Sequence, residues 1–335
     1  MTVTIGIKAL NEERHIGRSI ESALAAAVPV GGDVVLADSG STDRTLSIAA
    51  DYPIRVVQLA NLDERCCGAG AQLAFQNATG TYFYLLDGDM VIDPTFVREG
   101  IAFLDAHPDH AGVGGRVREM NTVGQGFQIR ARVLETTGHW NPGEVDRLDC
   151  GGLYRVAALR EAGWFADRNL HAFEEFDLAA RLRARGWKLA RIDLPAVDHY
   201  GHLTSGYKLL WRRLKTGYAG AAGEVLRAAL GQRHLPLVLR GLQHIRFTMV
   251  IAAWWLALLL TALLVRPAWA AIAVLAALVA GPILFLSWRR GGFKLGLYSF
   301  VEWNVGAIGF LGGFLRPRVA PSRPLASVDL SERRA

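Results

Sequence analysis

Hydrophobic positions along residues 1–86 switch repeatedly between two periods. The short β-branched or aromatic runs 3–7, 33–37, 54–58 and 81–86 have the length and composition of strands. Between them lie stretches of helical spacing. Glu12 to Ala27 places Ile16, Ile20, Ala23, Leu24 and Ala27 on one face, Asp43 to Ala50 follows Ser41 or Thr42 as a cap, and Cys67 to Ala78 is the third. Repeated βα units of this kind predict a mainly parallel, Rossmann-like α/β sheet covered by helices on both faces. Ligands bind such sheets beyond the carboxyl ends of the strands, so the residues that follow each strand are where chemistry is expected.

The rear of the chain has a different pattern. Phe247 to Val265 and Ala268 to Trp288 are uncharged runs of 19 and 21 residues, each near the roughly 20 residues that cross a bilayer core. Only Arg266 and Pro267 separate them, which predicts a tight membrane hairpin. Arg240 and Arg246 precede it, and Arg289, Arg290 and Lys294 follow it, so the positive-inside rule puts both outer ends in the cytoplasm. Trp254, Trp255, Trp269 and Trp288 are candidate interface anchors. A third apolar stretch, 295–315, carries Glu302 and Asn304 and is Gly-rich, with Gly306, Gly309, Gly312 and Gly313 toward its end. A lone intramembrane acid is costly unless paired, so a re-entrant or interfacial segment is favoured over a third span. Leu209, Leu210, Leu214, Tyr218 and Leu226 fall at helical spacing among Arg212, Arg213, Lys215 and Arg227, which predicts amphipathic helices lying on anionic lipid. The expected organisation is therefore a catalytic domain (1–203), a basic interfacial segment (204–246), a membrane region (247–318) and a loose tail (319–335).

Charge changes the meaning of the composition. The 335 residues are 51% hydrophobic, with mean hydropathy +0.20 and pI about 9.4. The net charge of +6 suggests nucleic acid only while it is averaged. Residues 1–203 carry −7, 204–246 carry +7 and 247–335 carry +6. The basic character flanks the apolar hairpin, which fits anionic lipid and not nucleic acid. Cys66, Cys67 and Cys150 are odd in number, so they predict reduced thiols, not a disulfide framework.

The strand-end segments are polar. Lys8-Ala9-Leu10-Asn11-Glu12-Glu13 follows the first strand, Asp38-Ser39-Gly40-Ser41-Thr42-Asp43 the second and Asp87-Gly88-Asp89 the fourth. Asp38 and Asp43 suit either hydrogen-bond acceptance from a ligand or helix capping. Asp87 and Asp89 concentrate negative charge after a buried strand, as a hard divalent cation, Mn2+ or Mg2+, requires, with a diphosphate completing its shell. Glu174, Glu175 and Asp177 open an Arg-rich helix, either complementing its dipole or supplying a general base. His199 and His202, beside Asp198, are candidate metal or phosphate contacts.

The order N-E-E, D-S-G-S-T-D, D-G-D, C-G-G-x-x-R and E-E-F-D-L over residues 3–200 resembles the family 2 glycosyltransferases of GT-A fold. The resemblance implies a nucleotide-sugar donor and inversion at the anomeric carbon. It implies nucleoside contacts from Ala9, Asn11, Glu12 and Asp38. It makes Asp87 and Asp89 the D-x-D pair on metal and diphosphate, to which the nearby His199 is a candidate further ligand. Glu175 stands where the family has the catalytic Asp, with Glu174 and Asp177 as alternatives. Gly151, Gly152 and Trp164 are expected near the acceptor. The family's A-R-N-x-G run reads Gly70-Ala71-Gln72-Leu73 here, which moves the expected basic phosphate contact to Arg65. The Q-x-x-R-W motif of processive synthases is missing, which favours single addition.

The expected activity is transfer from a UDP-linked sugar to a hydroxyl of a polyprenyl-diphosphate-linked glycan, at the cytoplasmic face of a bacterial-type inner membrane. The alternatives are a polyprenyl-phosphate hexose synthase and a non-catalytic sugar-nucleotide-binding membrane protein.

Overall fold

The computed structural model describes residues 2–120, 141–149, 151–201 and 206–331. Cys150 and His202 lie outside the described residues. The chain divides into two units, one of residues 1–123, 127–203 and 317–335, the other of 124–126 and 204–316.

The first unit is an α/β sheet. Its elements in order are β1 (Val3–Ala9), α1 (Ile16–Ala27), β2 (Asp33–Asp38), α2 (Thr45–Ala49), β3 (Arg55–Leu59), α3 (Cys67–Gln76), β4 (Tyr82–Asp87), β5 (Met90–Ile92), α4 (Phe96–Ala106), β6 (His110–Glu119), β7 (Gly143–Glu144), β8 (Gly152–Arg155), α5 (Val156–Glu161), α6 (Glu174–Arg183), β9 (Lys188–His199) and β10 (Ser327–Asp329). The strands lie in the order β10-β3-β2-β1-β4-β8-β6-β9-β5, with β7 added on β9. Strands β3, β2, β1 and β4 are mutually parallel, as the βα periodicity predicts. Beyond β4 the sheet is mixed: β8 runs antiparallel to β4 and β6, and β6 runs parallel to β9.

Period-2 alternation sorts the strand side chains onto two cores. Ile5, Ile7, Leu36, Tyr84 and Leu86 pack under α1, α2 and α4 with Ile16, Ile20 and Phe96. Val35, Ala37, Phe83 and Leu85 face α3, α5 and α6 with Leu73, Leu159 and Leu178. Strands buried on both faces need near-continuous apolar runs, and Tyr82 to Leu86 is one.

The stretch 319–331 of the expected tail is not loose. It returns to the sheet, where β10 pairs antiparallel with β3, Val328 opposite Gln58. Leu325 is 2% exposed within the second core, and its backbone bonds both ways to the Gln76 amide. Arg168 donates to the Arg323 and Pro324 carbonyls, and Arg318 pairs with the buried Asp167. The polar composition of this segment suggested a loose tail, but its groups find partners on β3, on the Gln76 side chain of α3 and on Asp167 and Arg168.

The second unit is helical: α7 (Gly206–Lys215), α8 (Ala221–Ala229), α9 (Leu235–Gly241), α10 (Gln243–Leu264), α11 (Ala268–Arg290) and α12 (Phe293–Leu315). Helices α10 and α11 are long and apolar enough to cross a membrane. The third apolar stretch, expected as a re-entrant or interfacial segment or a further span, forms one uninterrupted helix, α12. Small residues let it approach α8 at backbone distance: a Cβ on Gly223 would lie 2.0 Å from the Phe310 carbonyl oxygen, and one on Gly313 2.0 Å from that of Gly220. Asn304, the polar misfit on α12, accepts from the Trp255 indole at 2.9 Å, and the Trp254 indole donates to the Leu278 carbonyl at 2.8 Å. These two tryptophans therefore hold the helices together, whereas Trp269 and Trp288 are exposed.

If the tail strap carries sheet stability, Leu325→Ala lowers the unfolding free energy by about 2–5 kcal/mol. Urea denaturation of the detergent-solubilised chain measures it, and a loose tail would give no change.

Candidate active site

The register of the parallel strands assembles the site. Ala9, the last residue of β1, lies opposite Asp38 at the end of β2, and Lys8 lies opposite Asp87 at the end of β4. Three strand ends thus deliver their polar residues to one edge.

Asp38 is fully buried, and its Oδ2 accepts from the Gly40 and Ser41 backbone N–H groups and from Gln58 Nε2, at 2.8, 2.9 and 2.9 Å. Its Oδ1 has no protein partner among the described residues. Buried carboxylate oxygens are normally satisfied, so this atom has spare capacity for a donor. Asn11 takes a left-handed backbone (φ 59°) and accepts from the Thr42 N–H at 2.8 Å, while the Glu12 N–H donates to Thr45 Oγ1 at 2.8 Å. Asp43 accepts from Thr45 and from the Glu13 N–H. Burial opposes its ionisation, yet these bonds hold its carboxyl below the usual range. Asp43 laces two loops together and caps α2.

Lys8, which no sequence motif singles out, occupies the centre. Its Nζ lies 2.6 Å from Glu174 Oε1 and 3.2 Å from Asp87 Oδ1. Burial works to discharge the ammonium, but Asp87 and Glu174 reverse that and hold its pKa well above the ordinary lysine value. Burial also pushes the Asp87 carboxyl up, against the pull of Lys8. The signal in the sequence was a lone charge at the end of a buried apolar strand.

Helix α6 presents the remaining acids. It starts after Phe173, held at φ 64°, a strained position for a bulky residue. Glu174 meets Lys8. Glu175 accepts from the Gly151 N–H at 3.3 Å. Burial, with Asp149 next, pushes its carboxyl up to about 8. Gly151 sits at φ 91°, and a Cβ there would lie 2.9 Å from the Tyr84 hydroxyl; Gly152 opens β8. Asp177 points away into the core, 1% exposed and 2.8 Å from Arg181, which also donates to the Trp164 and Phe165 carbonyls and lies 5.0 Å from the Trp164 ring centroid. Asp177 and Trp164 thus belong to the packing behind α6. Arg65 is exposed and makes no ion pair among the described residues.

Asp89 and His199 meet across β5 and β9. Met90 and His199 are paired, the Tyr200 N–H donates to the Asp89 carbonyl at 3.0 Å, and His199 Nε2 lies 3.6 Å from Asp89 Oδ2. Burial pulls the imidazolium down, but the nearby Asp89 and Glu119 carboxylates outweigh it and push it up to about 10. No three His, Cys, Asp or Glu side chains converge as a closed metal cage among the described residues. An oxygen and a nitrogen on adjacent strands nevertheless fit an open cation site that a diphosphate would complete.

The model of glycosyl transferase family 2 matches residues 4–163. Over 198 residues the chain is 30% identical to "Putative glycosyltransferase EpsE" of Bacillus subtilis (strain 168), covering 56% of this chain and 68% of that one. The chain belongs to glycosyl transferase family 2. It is also 31% identical over 160 residues to glucomannan 4-beta-mannosyltransferase 7 of Arabidopsis thaliana, covering 45% of this chain and 28% of that relative. Among solved structures, mannosyltransferase PcManGT from Pyrobaculum calidifontis, in complex with GDP-Man and Mn2+, superposes with a TM-score of 0.61 at 18% identity, covering 92% of this chain and 86% of that one. S. aureus TarS 1-349 in complex with UDP-GlcNAc gives 0.50 at 18% identity, over 73% and 76%. The sheet of this family 2 glycosyltransferase is a GT-A fold followed by a helical region.

Two outcomes follow from the charges at the site. The Glu175 carboxyl ionises near 4.5 in an unfolded chain and near 8 when folded, so the wild type loses stability as pH rises through that window. Glu175→Gln removes the effect. Its melting temperature should equal that of the wild type near pH 4.5 and exceed it at pH 9, as thermal unfolding at both pH values would read. Lys8→Met leaves the buried Glu174 without its cation and should cost about 3–5 kcal/mol. Adding Glu174→Gln should restore most of that in a double-mutant cycle.

Proposed function

We propose that this chain is an inverting, metal-dependent transferase that moves a sugar from a UDP-linked donor to a hydroxyl of a polyprenyl-diphosphate-linked glycan at the cytoplasmic membrane face. The observation that carries the reading is the convergence of Asp38, Asp87, Asp89 and Glu175 at one sheet edge, with a carboxyl at Glu175 that holds its proton up to about 8. An acceptor hydroxyl is a weak acid, and a base of raised pKa takes its proton more readily than an ordinary carboxylate does. A phosphate acceptor is already ionised and needs no such base, which favours the hydroxyl acceptor over a polyprenyl phosphate.

In this mechanism Asp38 Oδ1 accepts from a ring N–H of the base, which uracil carries. PcManGT and TarS, which share the fold, are described with GDP-Man and with UDP-GlcNAc; guanine also carries a ring N–H. Asp89 and His199 would hold the divalent ion, with Asp87 beside them, and when bound it supplies positive charge to the departing diphosphate. Glu175 removes the acceptor proton as the hydroxyl oxygen attacks the anomeric carbon. The bond to the nucleoside diphosphate breaks on the opposite side, which inverts the centre. Lys8 keeps Glu174 and Asp87 from repelling Glu175 out of position. The basic residues around α10 and α11 support a cytoplasmic catalytic unit, and those of 204–246 support contact with anionic lipid.

Membranes containing the protein, incubated with labelled UDP-sugars, Mn2+ and either a lipid-linked glycan or a polyprenyl phosphate, test the reading. Label should enter the lipid-linked glycan. Glu175→Gln should lower turnover about 10²–10⁴-fold, and Asp89→Ala should abolish the response to Mn2+. Label in polyprenyl phosphate instead would establish the hexose synthase, and no transfer from any donor would establish a non-catalytic binding protein.

A further inference from the structure

Glu119 is the last residue of β6, outside every motif in the sequence. It lies directly opposite His199 in the parallel β6/β9 ladder. Its Oε2 is 2.8 Å from His199 Nδ1, and both side chains are largely buried, at 15% and 13% exposure. The neighbouring pair in the same ladder is also locked: Arg118 reaches both carboxylate oxygens of Asp198, at 2.8 and 2.6 Å. The Met120 N–H donates to the His199 carbonyl at 2.8 Å. The backbone and the ring of His199 are therefore each held from β6, while Nε2 faces Asp89.

A histidine binds a metal through one ring nitrogen, and the hydrogen bond at the other decides which nitrogen is offered. A carboxylate at Nδ1 keeps the proton there and leaves Nε2 to the metal. The same contact fixes the ring plane and raises the basicity of the ligating nitrogen. We propose that Glu119 is a positioning residue of the cation site: by accepting from His199 Nδ1–H it turns Nε2 toward the place where a divalent ion would meet Asp89. The proposal rests on the metal-dependent reading given above. A purely structural Glu119 would hold β6 to β9 and leave metal affinity untouched.

The test is Mn2+ titrated into the solubilised full chain, alone and with UDP or GDP, with free Mn2+ read by electron paramagnetic resonance. In Glu119→Ala the dissociation constant for Mn2+ should rise about 10–100-fold, the range found when such outer partners are removed. Glu119→Gln keeps an oxygen for Nδ1–H and should stay close to wild type. Glu119→Val, better suited to a strand, should behave as the alanine variant does and replaces it if that chain does not fold. Nucleotide binding without metal should be unchanged in all three. Equal Mn2+ affinity in wild type and Glu119→Ala or Glu119→Val overturns the role, as does a Gln variant as weak as the Ala variant. A wild-type chain that binds no Mn2+ under any of these conditions overturns the metal-dependent reading itself, and this proposal with it.

Discussion

One lysine holds the site together. Asp87, Glu174 and Glu175 are brought toward one point by two separate elements, β4 and the start of α6, and like charges that close cannot all stay ionised without a counter-charge. Lys8 supplies it from within the sheet, because the β1/β4 register places it opposite Asp87 and the start of α6 brings Glu174 to its other side. Burial raises the Glu175 carboxyl, Asp149 adds to the rise and Lys8 opposes it.

The Asp38 side of the same edge depends on a different support. Gln58 on β3 holds one oxygen of Asp38, and β3 is itself paired on its outer side by β10. The carboxylate that would read the base is thus steadied through two layers of hydrogen bonding, the outer one from chain that follows the helical unit. At the other end of the edge His199 is steadied similarly, by Glu119 of β6. Both flanks of the site are rigid sheet, and the acids between them stand on a helix start and a tight turn.

The parallel half of the sheet was legible in the sequence because each strand is a short apolar run with a helix of clear periodicity behind it. The D-G-D and E-E-F-D segments were legible because clustered acids have few structural uses. The structure separated the roles within them. Asp177 lies in the same acidic run as Glu174 and Glu175, but Arg181 at i+4 draws it into the core. Lys8, Gln58 and Glu119 could not be singled out because their significance lies in cross-strand partners far away in sequence. The mixed half of the sheet and β10 were hidden for the same reason. A three-residue strand such as Ser327–Asp329 has almost no local signature and exists only because an open edge is there to receive it.

That returning strand also bears on the order in which the protein can be built. Domains tend to fold from the N-terminus as the chain emerges from the ribosome, but β3 acquires its outer partner only after residues 243–315 have been made. Until then the sheet presents an unpaired parallel edge, the kind of surface that invites pairing with another chain. The apolar hairpin is thus synthesised before the catalytic sheet can close, and the last strand to arrive seals a sheet on a chain whose long apolar helices have already emerged.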